Sequence, residues 1–101
     1  MNDVARVLAE AADLLEQPGA WARRFSSRNA HGQYVPPNSP EAASWCAMGV
    51  LQRVSPSLAK AALEQLQAVV GSPHVAAWND ALGRTQAEVV AAFRQAAAEA
   101  G

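Results

Sequence analysis

The sequence predicts an all-α fold: a compact bundle of four to five short helices with a long irregular loop between the first two. Three observations carry that expectation. Half of the 101 residues are hydrophobic but only 6% are aromatic, and alanine makes up much of the difference; alanine loses no side-chain entropy when the backbone winds into a helix. Apolar residues recur at spacings of three and four. The pair Ser-Pro recurs at Ser39-Pro40, Ser55-Pro56 and Ser72-Pro73. Serine can accept from orphan amides there, while proline at the first helical position gives up only an N–H that has no partner.

In the first segment, Val4, Val7, Leu8, Ala11, Ala12, Leu14 and Leu15 line one side of a helix. Asn2 or Asp3 can cap its start, and Pro18-Gly19 stops it. The second helix is expected from about Pro40 to Val54 and the third from Pro56 to Val70, ended by Gly71. In the third, Leu58, Ala62, Leu66 and Val69 share a stripe, with Leu63 and Val70 beside it. A short fourth segment from Pro73 carries Val75 and Trp78 into the polar turn Asn79-Asp80. The last helix opens on Thr85-Gln86-Ala87-Glu88, a capping box in which hydroxyl and carboxylate each take a backbone amide. Its inward stripe is Val89, Ala92, Phe93 and Ala96, and the alanine-rich tail 97–101 is expected to fray.

Residues 19–38, "GAWARRFSSRNAHGQYVPPN", break the pattern. They have no helical stripe, a turn signal at Asn29-Ala30-His31-Gly32, and consecutive prolines at Pro36 and Pro37. Trp21, Phe25, Tyr34 and Val35 can anchor such a stretch on the bundle, with a small hairpin around Gly32. Loops longer than about 12 to 15 residues are uncommon in compact domains unless they carry function or are disordered. Function is therefore expected here.

Size and charge set the outer limits. A chain of this length forms one domain, 1–101, and can remove roughly 60 to 70% of its unfolded surface from water. Eight basic residues stand against nine acidic ones, without the basic excess of a dedicated nucleic-acid binder. The distribution is uneven: residues 1–16 hold Asp3, Glu10, Asp13 and Glu16 against Arg6, net −3, whereas residues 17–40 hold Arg23, Arg24 and Arg28 and no acid, net +3. The single cysteine excludes an intrachain disulfide and a multi-cysteine zinc site. With no basic, apolar leader and no apolar run near the ~18 residues of a membrane span, a cytoplasmic location is expected.

Candidate chemistry begins with Cys46. The order Cys46, His74, then Asn79 or Asp80 matches nucleophile, base and orienting residue in papain-like enzymes. Those enzymes place the thiol at a helix N-terminus, where the dipole stabilises thiolate; with a helix start at Pro40, Cys46 lies almost two turns inside. Cysteine is also a common small core residue, and the expectation is that Cys46 fills a core gap, Trp45 and Met48 pack, and Gly49 lets another helix approach. His31, His74, Cys46 and Asp80 lack the close pairings of a zinc site, so neither metal nor cofactor is expected. Asp80 has no acidic neighbour for paired acid–base work. Asn79 and Asp80 are expected to shape their own turn, with Arg84 pairing Asp80. Nucleic-acid binding would use Arg23, Arg24 and Arg28 interleaved with Trp21, Phe25 and Tyr34; the simpler reading turns those arginines towards the acidic first helix.

Pro40-Glu41-Ala42, Trp45-Cys46-Ala47, Gly49, Leu51, Trp78-Asn79-Asp80 and Arg84-Thr85-Gln86-Ala87-Glu88-Val89 together resemble a family of small uncharacterised proteins of bacteria and tailed phages. In that domain of unknown function, a helix bearing "WCaxGaL" precedes "ND" and "RTxxEV". The resemblance runs from Trp21 to Phe93. It implies no established activity. The family pattern carries an acidic residue shortly before the loop glycine, where this chain has Asn29-Ala30-His31 before Gly32, which argues against a metal or acid role for the loop. A phage association implies a small effector that binds a host protein, such as an inhibitor of a defence system.

The functional expectation is non-enzymatic protein binding through Trp21, Arg23, Arg24, Phe25, Arg28 and Tyr34, residue types enriched at interface centres. The competing readings are a small enzyme using Cys46, His74 and Asp80, and a nucleic-acid-associated protein using the same basic, aromatic loop. Self-association through an alanine-rich face is a third alternative.

Overall fold

The computed structural model describes residues 2–101. Five helices occur in the order α1 (Asp3–Glu16), α2 (Ala47–Val54), α3 (Ala59–Val70), α4 (Val75–Asp80) and α5 (Gln86–Ala100), with strands β1 (Ser27–Asn29) and β2 (Ala42–Trp45) between α1 and α2. The fold is therefore mostly helical with a small antiparallel sheet, not purely all-α.

Local signals explain the outer helices. Asn2 caps α1, its side chain accepting from Ala5 N at 2.7 Å. Thr85 and Glu88 form both halves of the capping box at the start of α5. Helix α5 lies along α1 and also packs on α3. Leu8, Leu15, Leu66 and Phe93 of these helices and Leu51 of α2 are fully buried, with buried alanines at 5, 11, 12, 62 and 96 letting the backbones come close. Helix α5 continues through the segment expected to fray, and the Asn2 amide donates to the Ala100 carbonyl.

The middle of the chain departs from the expectation. The helix expected from Pro40 begins seven residues later, because residues 42–45 form β2 and pair with β1 in the register Ser27↔Trp45, Arg28↔Ser44 and Asn29↔Ala42. A bulge between Arg28 and Asn29 skips Ala43. Each Ser-Pro serine caps a turn, but only two of these turns lead into helices: Ser55 Oγ accepts from Leu58 N at 3.3 Å before α3 and Ser72 Oγ from His74 N at 3.0 Å before α4, whereas Ser39 Oγ accepts from Glu41 N at 3.1 Å in a turn that leads into β2. The turn at Gly32 is present, with Arg28 bridging Tyr34 across it and Asn29 N donating to Gln33 O at 2.8 Å. It is a side feature of a sheet whose main partner strand comes from beyond the loop.

The acidic first helix does not meet the loop arginines. Asp13 and Glu16 pair instead with Arg94 of α5, at 2.9 and 3.2 Å. These ion pairs are exposed, a class that contributes about 1 kcal/mol or less each.

Candidate binding surface on the 19–38 crossover

The crossover is tied down from below by one buried amide. Asn79, at the end of α4, is completely buried. Its Oδ1 accepts from the Trp21 indole N–H at 2.8 Å and from Ala47 N at 3.0 Å. Its Nδ2 donates to Ala22 O at 3.1 Å and to Asp80 Oδ1 at 2.9 Å. Two donors and two acceptor positions are the full capacity of a carboxamide, and all four are used. Asp80 Oδ1 also accepts from Arg24 N at 2.9 Å. The pair expected to shape its own turn thus joins α4, the crossover and the N-terminus of α2, and Ala47 N is one of the amides a helix start leaves without an intrahelical partner.

Backbone bonds continue the attachment. Trp45 N donates to Ala20 O at 2.8 Å, Ala22 N to Trp45 O at 2.9 Å and Cys46 N to Ser26 O at 3.1 Å. Gly49 belongs to this contact: a Cβ there would stand 1.8 Å from Ser26 O. The glycine admits the crossover backbone, not a helix. At the far end, Arg53 donates to Pro37 O and Ser39 O at 3.2 and 2.8 Å and lies over the Trp45 ring.

Cys46 is the N-cap of α2, with Sγ accepting from Gly49 N at 3.3 Å. The expected position two turns inside a helix is corrected, because β2 consumes the residues that would have formed those turns. Burial pushes the thiol pKa up; backbone bonds from Gly49 and Met48 oppose this, and the Asp80 charge adds to it. The thiol is held protonated, the reverse of an activated nucleophile. Cys46 and Asp80 line one pocket of about 230 Å³ with Met48 and Phe25. His74 lies outside that lining, exposed, at the start of α4. Arg84 pairs with Glu88 at 3.5 Å and bonds Trp78 O at 2.9 Å in place of the expected Asp80 partner. Among the described residues no three His, Cys, Asp or Glu side chains are grouped closely enough to hold a metal ion.

The six loop residues singled out in the sequence divide in two. Trp21 and Arg23 are engaged inward: Arg23 Nη2 donates to Asp80 O and Ala81 O at 2.8 and 2.6 Å, above the Trp21 ring. Arg24, Phe25, Arg28 and Tyr34 form the outer surface. Phe25 and Tyr34 are 44% and 56% exposed with ring centroids 6.2 Å apart. The Arg28 guanidinium sits 4.4 Å from the Phe25 centroid and is braced by Gly32 O at 2.8 Å and Arg23 O at 3.1 Å. Arg24 has φ +74°, the left-handed region that side chains rarely adopt. Met48, expected to pack, is 40% exposed, and Leu82 projects fully into solvent.

The model of the family of unknown function DUF6197 matches residues 1–99. The chain belongs to that family. No curated protein and no solved structure matches it. Membership fixes kinship without an activity, so the surface chemistry of this DUF6197 chain carries the functional reading. None of its described helices is long and apolar enough to cross a membrane.

Proposed function

We propose that this DUF6197 chain is a non-enzymatic binding module that engages a protein partner through the surface of its 19–38 crossover. One observation carries the reading: all four large apolar side chains exposed among the described residues, Phe25, Tyr34, Met48 and Leu82, border this one segment. Phe25 meets Tyr34 at a tilt, with ring centroids 6.2 Å apart, Phe25 and Met48 line one pocket, and Leu82 shares a cleft with Arg24. Clustered exposed apolar groups on a soluble domain mark interaction sites, and aromatic residues, methionine and arginine are the types enriched there. The Asn79 anchorage supports the same reading, since a surface already ordered loses little entropy on binding.

The phage setting implied by the family resemblance makes a host protein the partner, and inhibition of a defence system the biological outcome. The test is comparative capture from such a host. A protein retained by the parent chain and by Arg94→Ala, but lost with Phe25→Ala/Tyr34→Ala at unchanged melting temperature, is the expected result. Equal capture by the double variant refutes the proposal.

A further inference from the structure

Beside the Cys46 pocket, and sharing Arg24 and Asp80 with it, lies a second cleft of about 780 Å³ lined by three arginines, Arg23, Arg24 and Arg28. Asp80 is the single acid in its lining, and it is already held through Oδ1 by Asn79 Nδ2 and Arg24 N. Three cations against one anion leave an excess of +2. The sheet register contributes to this concentration, because it sets Ser44 opposite Arg28 and so places an uncharged polar residue on the wall. Trp21 and Leu82 supply apolar surface beside the charges.

The three guanidinium groups differ in what they have left to give. Arg28 uses both Nη atoms on carbonyls, and Arg23 uses one. Among the described residues, the Arg24 guanidinium has no hydrogen-bond acceptor and no ion-pair partner. Its position is set by the backbone alone, with φ at +74° and N–H bonded to Asp80. Left-handed backbone is unfavourable at a residue other than glycine, and here it delivers an unpaired five-donor fork to the edge of a cleft that is already positive.

We propose that this cleft binds a phosphate monoester carried on a side chain of the protein partner, an inference that rests on the partner-binding reading above. The charge decides between oxyanions. A phosphate monoester carries about −1.5 to −2 near pH 7 and matches the +2 excess, whereas a carboxylate leaves half of it uncompensated. Arg24 supplies the forked pair of donors that binds two phosphate oxygens together; Arg23, whose Nη2 is spent on Asp80 O and Ala81 O, adds single donors from Nε and Nη1, and Leu82 and Trp21 flank the carbon body bearing the ester.

The experiment titrates the isotopically labelled full chain with phenyl phosphate, benzoate and adenosine monophosphate, followed by amide and arginine side-chain resonances. Phenyl phosphate is expected to give saturable shifts at Arg24, Ser44 and Leu82. Arg24→Gln, which keeps the backbone bond to Asp80, is expected to weaken binding about tenfold to a hundredfold, and Arg24→Lys to restore part of it. Benzoate is expected to bind at least about tenfold less tightly. Absence of saturable shifts, equal binding of benzoate, or equal affinity in Arg24→Gln overturns the site. Tighter binding of adenosine monophosphate than of phenyl phosphate overturns the assignment to a protein side chain. The titration uses this chain alone, so its failure leaves a positive capture result standing, and a failed capture leaves a positive titration standing.

Discussion

Replacing Asn79 with alanine removes four hydrogen bonds at once, and their locations set the size of the effect. The Ala47 N–H and the Ala22 carbonyl are both left facing the vacated space, in a place Asn79 itself fills completely. An unpaired buried donor or acceptor costs about 1–3 kcal/mol, so these two give about 2–6 kcal/mol. The Trp21 indole N–H is only part-buried and can turn to water, and Asp80 keeps the bond from Arg24 N, so neither adds much. A central value of about 4 kcal/mol is a large share of the roughly 5–15 kcal/mol that stabilises a domain. With a urea slope of about 1.5 kcal/mol per M, the unfolding midpoint falls by between about 2 and 3 M. Hydrogen exchange at Ala47 and at the Trp21 indole should accelerate together. A loss below about 1 kcal/mol, or unchanged exchange at Ala47, refutes the assignment of Asn79 as the tie between α4, the crossover and α2.

Three further outcomes follow from the same region. Gly49→Ala places a methyl carbon 1.8 Å from Ser26 O, and because that methyl is fixed rigidly to the α2 backbone and its neighbour is a backbone carbonyl the crossover must move; the expected loss is about 3 kcal/mol, the upper end for overpacking, read from thermal unfolding. Cys46 should resist iodoacetamide near neutral pH until the chain is denatured, because burial raises its pKa and only thiolate reacts. The raised pKa also has a sign in stability: the unfolded thiol ionises first as pH rises past its ordinary range of about 8.5, so the folded state loses stability there and keeps it below. Cys46→Ala should flatten that alkaline decline in a denaturation series, and an unaltered slope contradicts the account.

Elements whose causes are local can be read from the residues alone. Helix α1 follows from its apolar spacing and from Asn2, and α5 from the Thr85–Glu88 capping box, because caps and i, i+3 and i, i+4 neighbours lie within one turn of each other. The unusual length, aromatic content and positive charge of residues 19–38 were equally legible, and they direct attention to the surface that carries the functional proposal. What the tertiary structure alone decided is how that segment is held. Residues 42–45 become a strand because their backbone partners arrive from Ala20 to Asn29, and Cys46 becomes a cap as a consequence. Asn79 reads in sequence as a turn former. Its four bonds reach positions 21, 22, 47 and 80; three of those lie 32 or more residues away, beyond any periodicity or spacing rule. The division of the arginines into braced and unpaired has the same origin, since Arg23 finds its carbonyl acceptors at Asp80 and Ala81. A buried polar group is satisfied by whatever the fold brings to it, and that choice is made in space.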